Sequence, residues 1–212
     1  MADPLSLSDF FDTFRATVDS RFYLPGVRQH SRTGSGEVLS SVLGHQLWRG
    51  EVTAYVRGRR AVAALQAQIE ELDRAGDPFL IHPFPCGNAH DPDGSIIAGH
   101  NPEIAAVSSD RIRLRNLPSG YRFQRGDFLS FAYGSNPVRY ALHRVMDLTS
   151  TGLGSGMRVS PRPRPGVAIG APVTLYKPVC KAIIEPGSIQ WPDYGSVVAG
   201  TISFRFIQTL GR

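Results

Sequence analysis

The stretch Ile104-Ala-Ala-Val-Ser-Ser-Asp-Arg-Ile-Arg-Leu-Arg115 decides the fold class. Its second half alternates Arg111, Arg113 and Arg115 with Ile112 and Leu114, the period of two that sends charged side chains to water and apolar ones to a core. Ser108, Ser109 and Asp110 supply turn chemistry between this segment and the apolar run before it. Two such strands, solvated on one side, are the unit of an antiparallel sheet. Working outward, residues 79–81, 128–133, 140–146, 157–159, 171–175 and 203–208 read as further strands. Residues 47–56 alternate too, with Trp48, Val52, Ala54 and Val56 opposite Leu47, Glu51, Thr53 and Tyr55, which places Trp48 in the core. The 22 glycines and 16 prolines are too much punctuation for a helical bundle and suit many short strands joined by turns. The expected fold is mainly β, antiparallel, of sandwich or barrel type.

One helix interrupts the pattern. Over 59–74, Val62, Leu65, Ile69 and Leu72 recur at steps of three and four and form one apolar stripe, and Glu70 and Arg74 stand at the spacing of a surface pair. Gly76, Asp77 and Pro78 end it, because Gly accepts the left-handed terminal conformation and Pro cannot continue the ladder. A shorter amphipathic helix is expected over 5–14, with Ser8 as its cap and Phe10, Phe11 and Phe14 on its apolar side. No clean linker divides the chain, so residues 1–212 are read as one β-rich unit. A subdivision into 1–85, holding an arm, strands and the helix, and a β-rich 86–212 is the alternative.

The net charge of +5 permits contact with DNA, lipid head groups or an acidic protein. The arginines are scattered, with short clusters only at Arg57, Arg59 and Arg60 and at Arg111, Arg113 and Arg115, so no tract for specific nucleic-acid binding is expected. Two cysteines, Cys86 and Cys180, fit a reducing folding compartment. Neither a secretion signal nor a membrane-spanning run is expected.

Residues 82–100 gather Cys86, His90, Asp91, Asp93 and His100, which are metal-ligand types. Cys86 and His90 form one candidate pair, but no second pair completes a tetrahedral zinc site, and Asp91-Pro-Asp-Gly94 lacks the later acidic positions of a calcium loop. It reads as a turn, and no cofactor or metal is expected. A thiol hydrolase would need Cys86 to converge with His90, His100 or His143, yet Cys86 lies in a Pro/Gly loop and not at a helix start that would lower its pKa. Pro161-Arg-Pro-Arg-Pro165 is an extended, stiff connector, and His143 lies within a strand.

A set of ordered segments carries a resemblance. They are Gly34-Ser-Gly-Glu-Val38, Leu47-Trp-Arg-Gly-Glu-Val-Thr53, the helix ending at Gly76-Asp-Pro-Phe79, Asp91-Pro-Asp-Gly-Ser95, Leu117-Pro-Ser-Gly120, Arg125-Gly-Asp-Phe-Leu129, Tyr133-Gly-Ser-Asn-Pro137, Ala141-Leu-His-Arg-Val145, Pro161 to Pro165, Val173-Thr-Leu-Tyr-Lys-Pro178 and Phe204-Arg-Phe206. In this order the chain resembles prophage-encoded minor tail proteins related in role to the distal tail protein of long-tailed phages. The resemblance implies a non-enzymatic virion protein, made in the bacterial cytoplasm and built into the far end of the tail as a hexameric ring. Such a ring would join the tail tube protein to the baseplate hub protein. Two polar, glycine-bearing stretches are the candidate intersubunit elements: an arm over 26–36 with Arg28, His30, Arg32 and Ser35, and a loop over 149–156 with Thr151, Leu153 and the adjoining Met157. A receptor- or carbohydrate-binding module using Trp191 and Tyr194 is the alternative. A Cys/His cell-wall hydrolase is a third reading.

Overall fold

A computed structural model describes residues 4–10, 12, 18–42, 44, 46–84, 87–191 and 199–211. In chain order these hold β1 (Val18–Tyr23), β2 (Arg28–Arg32), β3 (Val38–Val42), β4 (Arg49–Arg57), α1 (Arg59–Ala75), β5 (Phe79–Ile81), β6 (Glu103–Val107) and β7 (Arg111–Arg115). There follow β8 (Phe123–Gln124), β9 (Phe128–Tyr133), β10 (Arg139–Val145), β11 (Thr149–Ser150), β12 (Met157–Ser160), β13 (Val173–Thr174), β14 (Cys180–Ile184) and β15 (Ala199–Gln208). The protein is mainly β, with one α-helix among the described residues.

The strands form two main sheets. The first is antiparallel in the order β1-β4-β15-β14-β5. Its inner face presents Val52, Ala54, Cys180, Ala182, Ile202, Phe204 and Phe206, all buried, and Leu65, Ile69 and Leu72 of the expected α1 stripe pack into the same core. Each large side chain so buried contributes about 1.5–3 kcal/mol relative to an exposed one. Gly50 is required here by close approach, since a Cβ would lie 2.6 Å from the Phe206 ring. The helix stops as expected at Gly76, which takes φ 62° and donates its N–H to the Leu72 carbonyl.

The second sheet runs β13-β9-β10-β12-β7-β6. It is nearly closed into a barrel, because the free edge of β6 meets the approach to β13. Ile104 N–H donates to Ala171 O at 3.0 Å, Gly170 N–H to Ile104 O at 2.8 Å and Val173 N–H to Pro102 O at 2.9 Å. Closure removes edges that would otherwise be left unpaired. Its core holds Ile104, Ile112, Leu114, Phe123, Leu129, Phe131, Val145 and Met157.

The two cores are nested in sequence. The barrel is inserted between β5 and β14, and the chain then returns to finish the first sheet with β14 and β15. The sheets therefore do not follow a cut between 85 and 86, because the long pairing of β15 with β4 ties the C-terminal strands to the N-terminal half. Strand β10 joins the two bodies. Trp48 Nε1–H donates to Leu142 O at 2.7 Å, Gln208 Nε2 to Tyr140 O at 3.1 Å and Arg139 Nε to Leu210 O at 3.1 Å.

The short helix expected over 5–14 is not formed by the described residues. Leu5 instead bridges to Phe79, donating its N–H to Pro78 O and accepting from Leu80 N–H, both at 3.0 Å. Residues 7–10 make a turn that drives Phe10 into the first core, edge-on to Phe79 at 5.2 Å. Pairing with β5 takes the backbone N–H and carbonyl of Leu5, and Ser6, not Ser8, accepts the Asp9 N–H. Phe11 and Phe14 lie outside the described residues.

Candidate assembly surface

The arm expected over 26–36 is a regular β-hairpin. Strands β2 and β3 pair in register from Arg28 opposite Val42 to Arg32 opposite Val38. Thr33 and Glu37 close the turn, with Thr33 N–H donating to Glu37 O at 2.9 Å and Gly36 at φ 86°. Gly36 earns its place there because L side chains rarely accept that angle. Arg28, His30 and Arg32 share one face with Val38 and Ser40, while Gln29, Ser31, Leu39 and Ser41 share the other. Both faces are exposed, and Val38 and Leu39 are 55% and 51% accessible. Ser35 is exposed at the tip, where its Oγ lies 2.8 Å from Thr33 Oγ1.

The loop over 149–156 behaves differently. Thr149 and Ser150 form β11 and pair with β8. Gly152 O accepts the Leu114 N–H at 2.8 Å, and a Cβ on Gly152 would stand 2.9 Å from the Phe123 ring. The candidate intersubunit loop is thus packed in part on its own barrel. Thr151 and Leu153 are exposed, but Met157 opens β12 with its side chain wholly inside the barrel core, out of reach of a neighbour. Its pairing with Ile112 puts it on the inward side of the alternation that the sequence already shows in β7.

The candidate chemical residues are occupied by structural bonds. Asp91 is buried and accepts the N–H groups of Ile96 at 3.1 Å and Ile97 at 2.9 Å. Asp93 accepts from Ser95, which lowers its pKa, and Asp127 accepts from Ala89 and Gln124. Among the described residues no three His, Cys, Asp or Glu groups stand together as metal ligands. Cys86 lies outside the described residues. Cys180 is fully buried, and burial pushes its thiol pKa up, away from the reactive thiolate.

The histidines follow the same pattern. His143 is sealed in the barrel wall, stacked on Phe131 at 5.4 Å, with Nδ1 2.7 Å from the Pro161 carbonyl. Burial pushes its pKa down to about 4, against the opposing effect of that carbonyl and with help from the Arg164 charge, so the ring is neutral at pH 7. His82 is also buried, which lowers its pKa. Its Nε2 stands 3.5 Å from Asp12 Oδ1, and Lys177 Nζ holds Asp12 Oδ2 at 2.6 Å. Burial alone would raise the Asp12 pKa, but the hydrogen bond and charge of Lys177 outweigh it and leave it lowered. This cluster anchors the N-terminal segment under the junction of the two bodies. Trp191 is 40% exposed, and Tyr194 lies outside the described residues.

A cleft that the sequence reading did not anticipate lies at the root of the arm. It measures about 480 Å³ and runs between Val27, Arg28 and Gln46 on one side and the Pro161 to Pro165 connector on the other. A second cavity of about 420 Å³ adjoins it through Gln46 and is bordered by Trp48, Arg125 and Arg144. The visible signal was the Pro-Arg-Pro-Arg-Pro strip, and what the sequence could not supply was the wall facing it.

No family model matches the chain, and no curated protein matches it.

Proposed function

We propose that this chain is a structural subunit at the distal end of a long-tailed phage tail, assembling with copies of itself into a ring, hexameric by resemblance, between tail tube and baseplate hub. The observation that carries the reading is the β2–β3 hairpin. A two-stranded hairpin without a packed face is at best marginally stable in water, and this one leaves Val38 and Leu39 open on its opposite faces. Such an element gains its missing contacts by docking on a neighbour, where side chains on both faces and the outer backbone edges become useful. Head-to-tail contacts of this kind close into a ring when the rotation permits. The ordered segment resemblance supplies the phage-tail setting, and the function requires shape and no reactive centre.

The test is native mass spectrometry of the purified chain beside imaging of intact particles. The expected result is a closed oligomer in solution and a ring of the same copy number beneath the tail tube. Replacing residues 28–42 by a short Gly/Ser link is expected to leave a folded monomer. A deletion variant that assembles like the intact chain would remove the hairpin from this role, and a chain missing from particles would overturn the reading.

A further inference from the structure

The two adjoining cavities at the root of the arm form one groove with an unbalanced charge. Arg28, Arg162 and Arg164 line the first part and Arg125 and Arg144 the second, and neither part is lined by an Asp or Glu among the described residues. The ion pairs formed among the described residues include none of these five guanidinium groups. Three of them are instead held in place by backbone carbonyls. Arg164 Nη2 donates to Gln46 O at 3.0 Å, Arg125 Nε to Met146 O at 3.0 Å and Arg144 Nη2 to Phe22 O at 3.4 Å. Arg144 also lies over the rings of Phe128 and Trp48, at 4.7 and 5.1 Å. Arg164 Nη1 is shut away from solvent with no hydrogen-bond partner among the described residues. Three anchored cations beside the exposed Arg28 and Arg162, mutually repelling and with unused donors, are an arrangement for carboxylates, which the planar guanidinium grips in pairs.

The same chain displays a matching surface. Most charges of helix α1 are placed against its own dipole, Arg74 in the last turn being the exception. Arg59 and Arg60 open it and no acidic residue sits in its first turn, whereas Glu70, Glu71 and Asp73 crowd its last turns. A helix favours anions at its start and cations at its end, so these carboxylates add to the partial negative charge already there. Glu70, Glu71 and Asp73 are exposed, and the pair expected between Glu70 and Arg74 is absent from the ion pairs of the described residues. The helix packs on β4, β14 and β15, while the groove is lined by the arm root, the 160–165 connector and the segments around Arg125 and Arg144.

We infer that the arginine groove receives the acidic C-terminal end of α1 from a second copy of this chain, forming a heterologous, head-to-tail contact beside the arm. This deepens the assembly reading and rests on it for the identity of the occupant. The groove sets register and direction, because only one end of the helix carries the complementary charge.

Charge reversal tests it on the full chain, with association followed by sedimentation velocity and native mass spectrometry. Arg28→Glu with Arg162→Glu, both exposed positions, is expected to weaken association at least tenfold, and so is the triple Glu70→Arg, Glu71→Arg, Asp73→Arg. Mixing the two variants is expected to restore association between unlike chains while each alone stays dissociated, which a general loss of folding could not produce. Raising salt is expected to weaken the wild-type contact. A triple variant that assembles like wild type, or a mixture that recovers nothing, overturns the inference. So does a wild-type chain that stays monomeric at millimolar concentration; a ring seen in particles would then leave the assembly reading standing without this contact. Binding of a short DNA duplex that competes with self-association and is lost in the arginine variant, with the α1 triple variant assembling normally, would assign the groove to nucleic acid and also overturn it.

Discussion

The hairpin over 28–42 and the loop over 149–156 look alike as sequence, both polar, both glycine-bearing, and they end in opposite situations. Every hydrogen bond among the described residues of the hairpin stays within it. The loop instead passes its backbone to Leu114 and lays Gly152 on Phe123, so that it becomes a lid on the barrel core. Polarity thus marks what is compatible with water and not what projects into it. Partners distant in sequence decide that, here Leu114 and Phe123 for Gly152.

The contrast can be broken by substitution. The largest effect is expected at Met157, wholly inside the barrel: Met157→Ala should cost about 2–5 kcal/mol, read as a lowered Tm. Next is acid. The folded chain resists the proton that the unfolded chain accepts on His143, whose pKa falls from 6.5 to about 4 on folding. Stability from this group is therefore complete above pH 6.5 and drains away as the pH falls toward 4, by ~3 kcal/mol across that window. His143→Gln, which keeps a donor for the Pro161 carbonyl, should flatten that part of the Tm-against-pH curve; an unchanged slope would place the acid sensitivity elsewhere. Gly152→Ala follows. At φ 70° and 2.9 Å from the Phe123 ring, the added methyl should cost about 1–3 kcal/mol in denaturant unfolding, more than Gly154→Ala, which has a similar angle and nothing within 4 Å of its Cβ. The smallest change in the isolated chain is expected for Val38→Ser with Leu39→Ser, within ~0.5 kcal/mol, because neither side chain has a core to leave. That same pair should nevertheless reduce self-association, which sharpens the difference between arm and loop.

Much of the fold was legible where one strand face is wet and the other dry. Residues 111–115 and 47–56 alternate as expected, and the α1 stripe buries the four residues named for it. The misses share a cause. Strand β14 carries the buried Lys181, whose ammonium reaches Val138 O, so its pattern reads as neither amphipathic nor continuous. Strands β2 and β3 show no buried face at all, and the polar composition of 28–32 suggested a loop. The 5–14 segment has helical spacing, yet Leu5 is bridged to β5 and residues 7–10 make a turn. Of the proposed contact residues, Arg28, His30, Arg32, Ser35, Thr151 and Leu153 are exposed, while Met157, the first residue of a strand, is buried.

The sequence by itself determined the class of structure: the period of two in segments such as 47–56 and 111–115, the single apolar helical stripe, and glycines and prolines at the turns are local properties that any fold of this chain must satisfy. Only the tertiary structure decided that the barrel is inserted within the first sheet, that one polar stretch stands free while another closes a core, and that five arginines from four separate segments line two cavities that share Gln46. Those outcomes depend on which segments pair across separations that run from the Thr149–Gln124 pairing to the β4–β15 pairing, and side-chain periodicity carries no information about the partner.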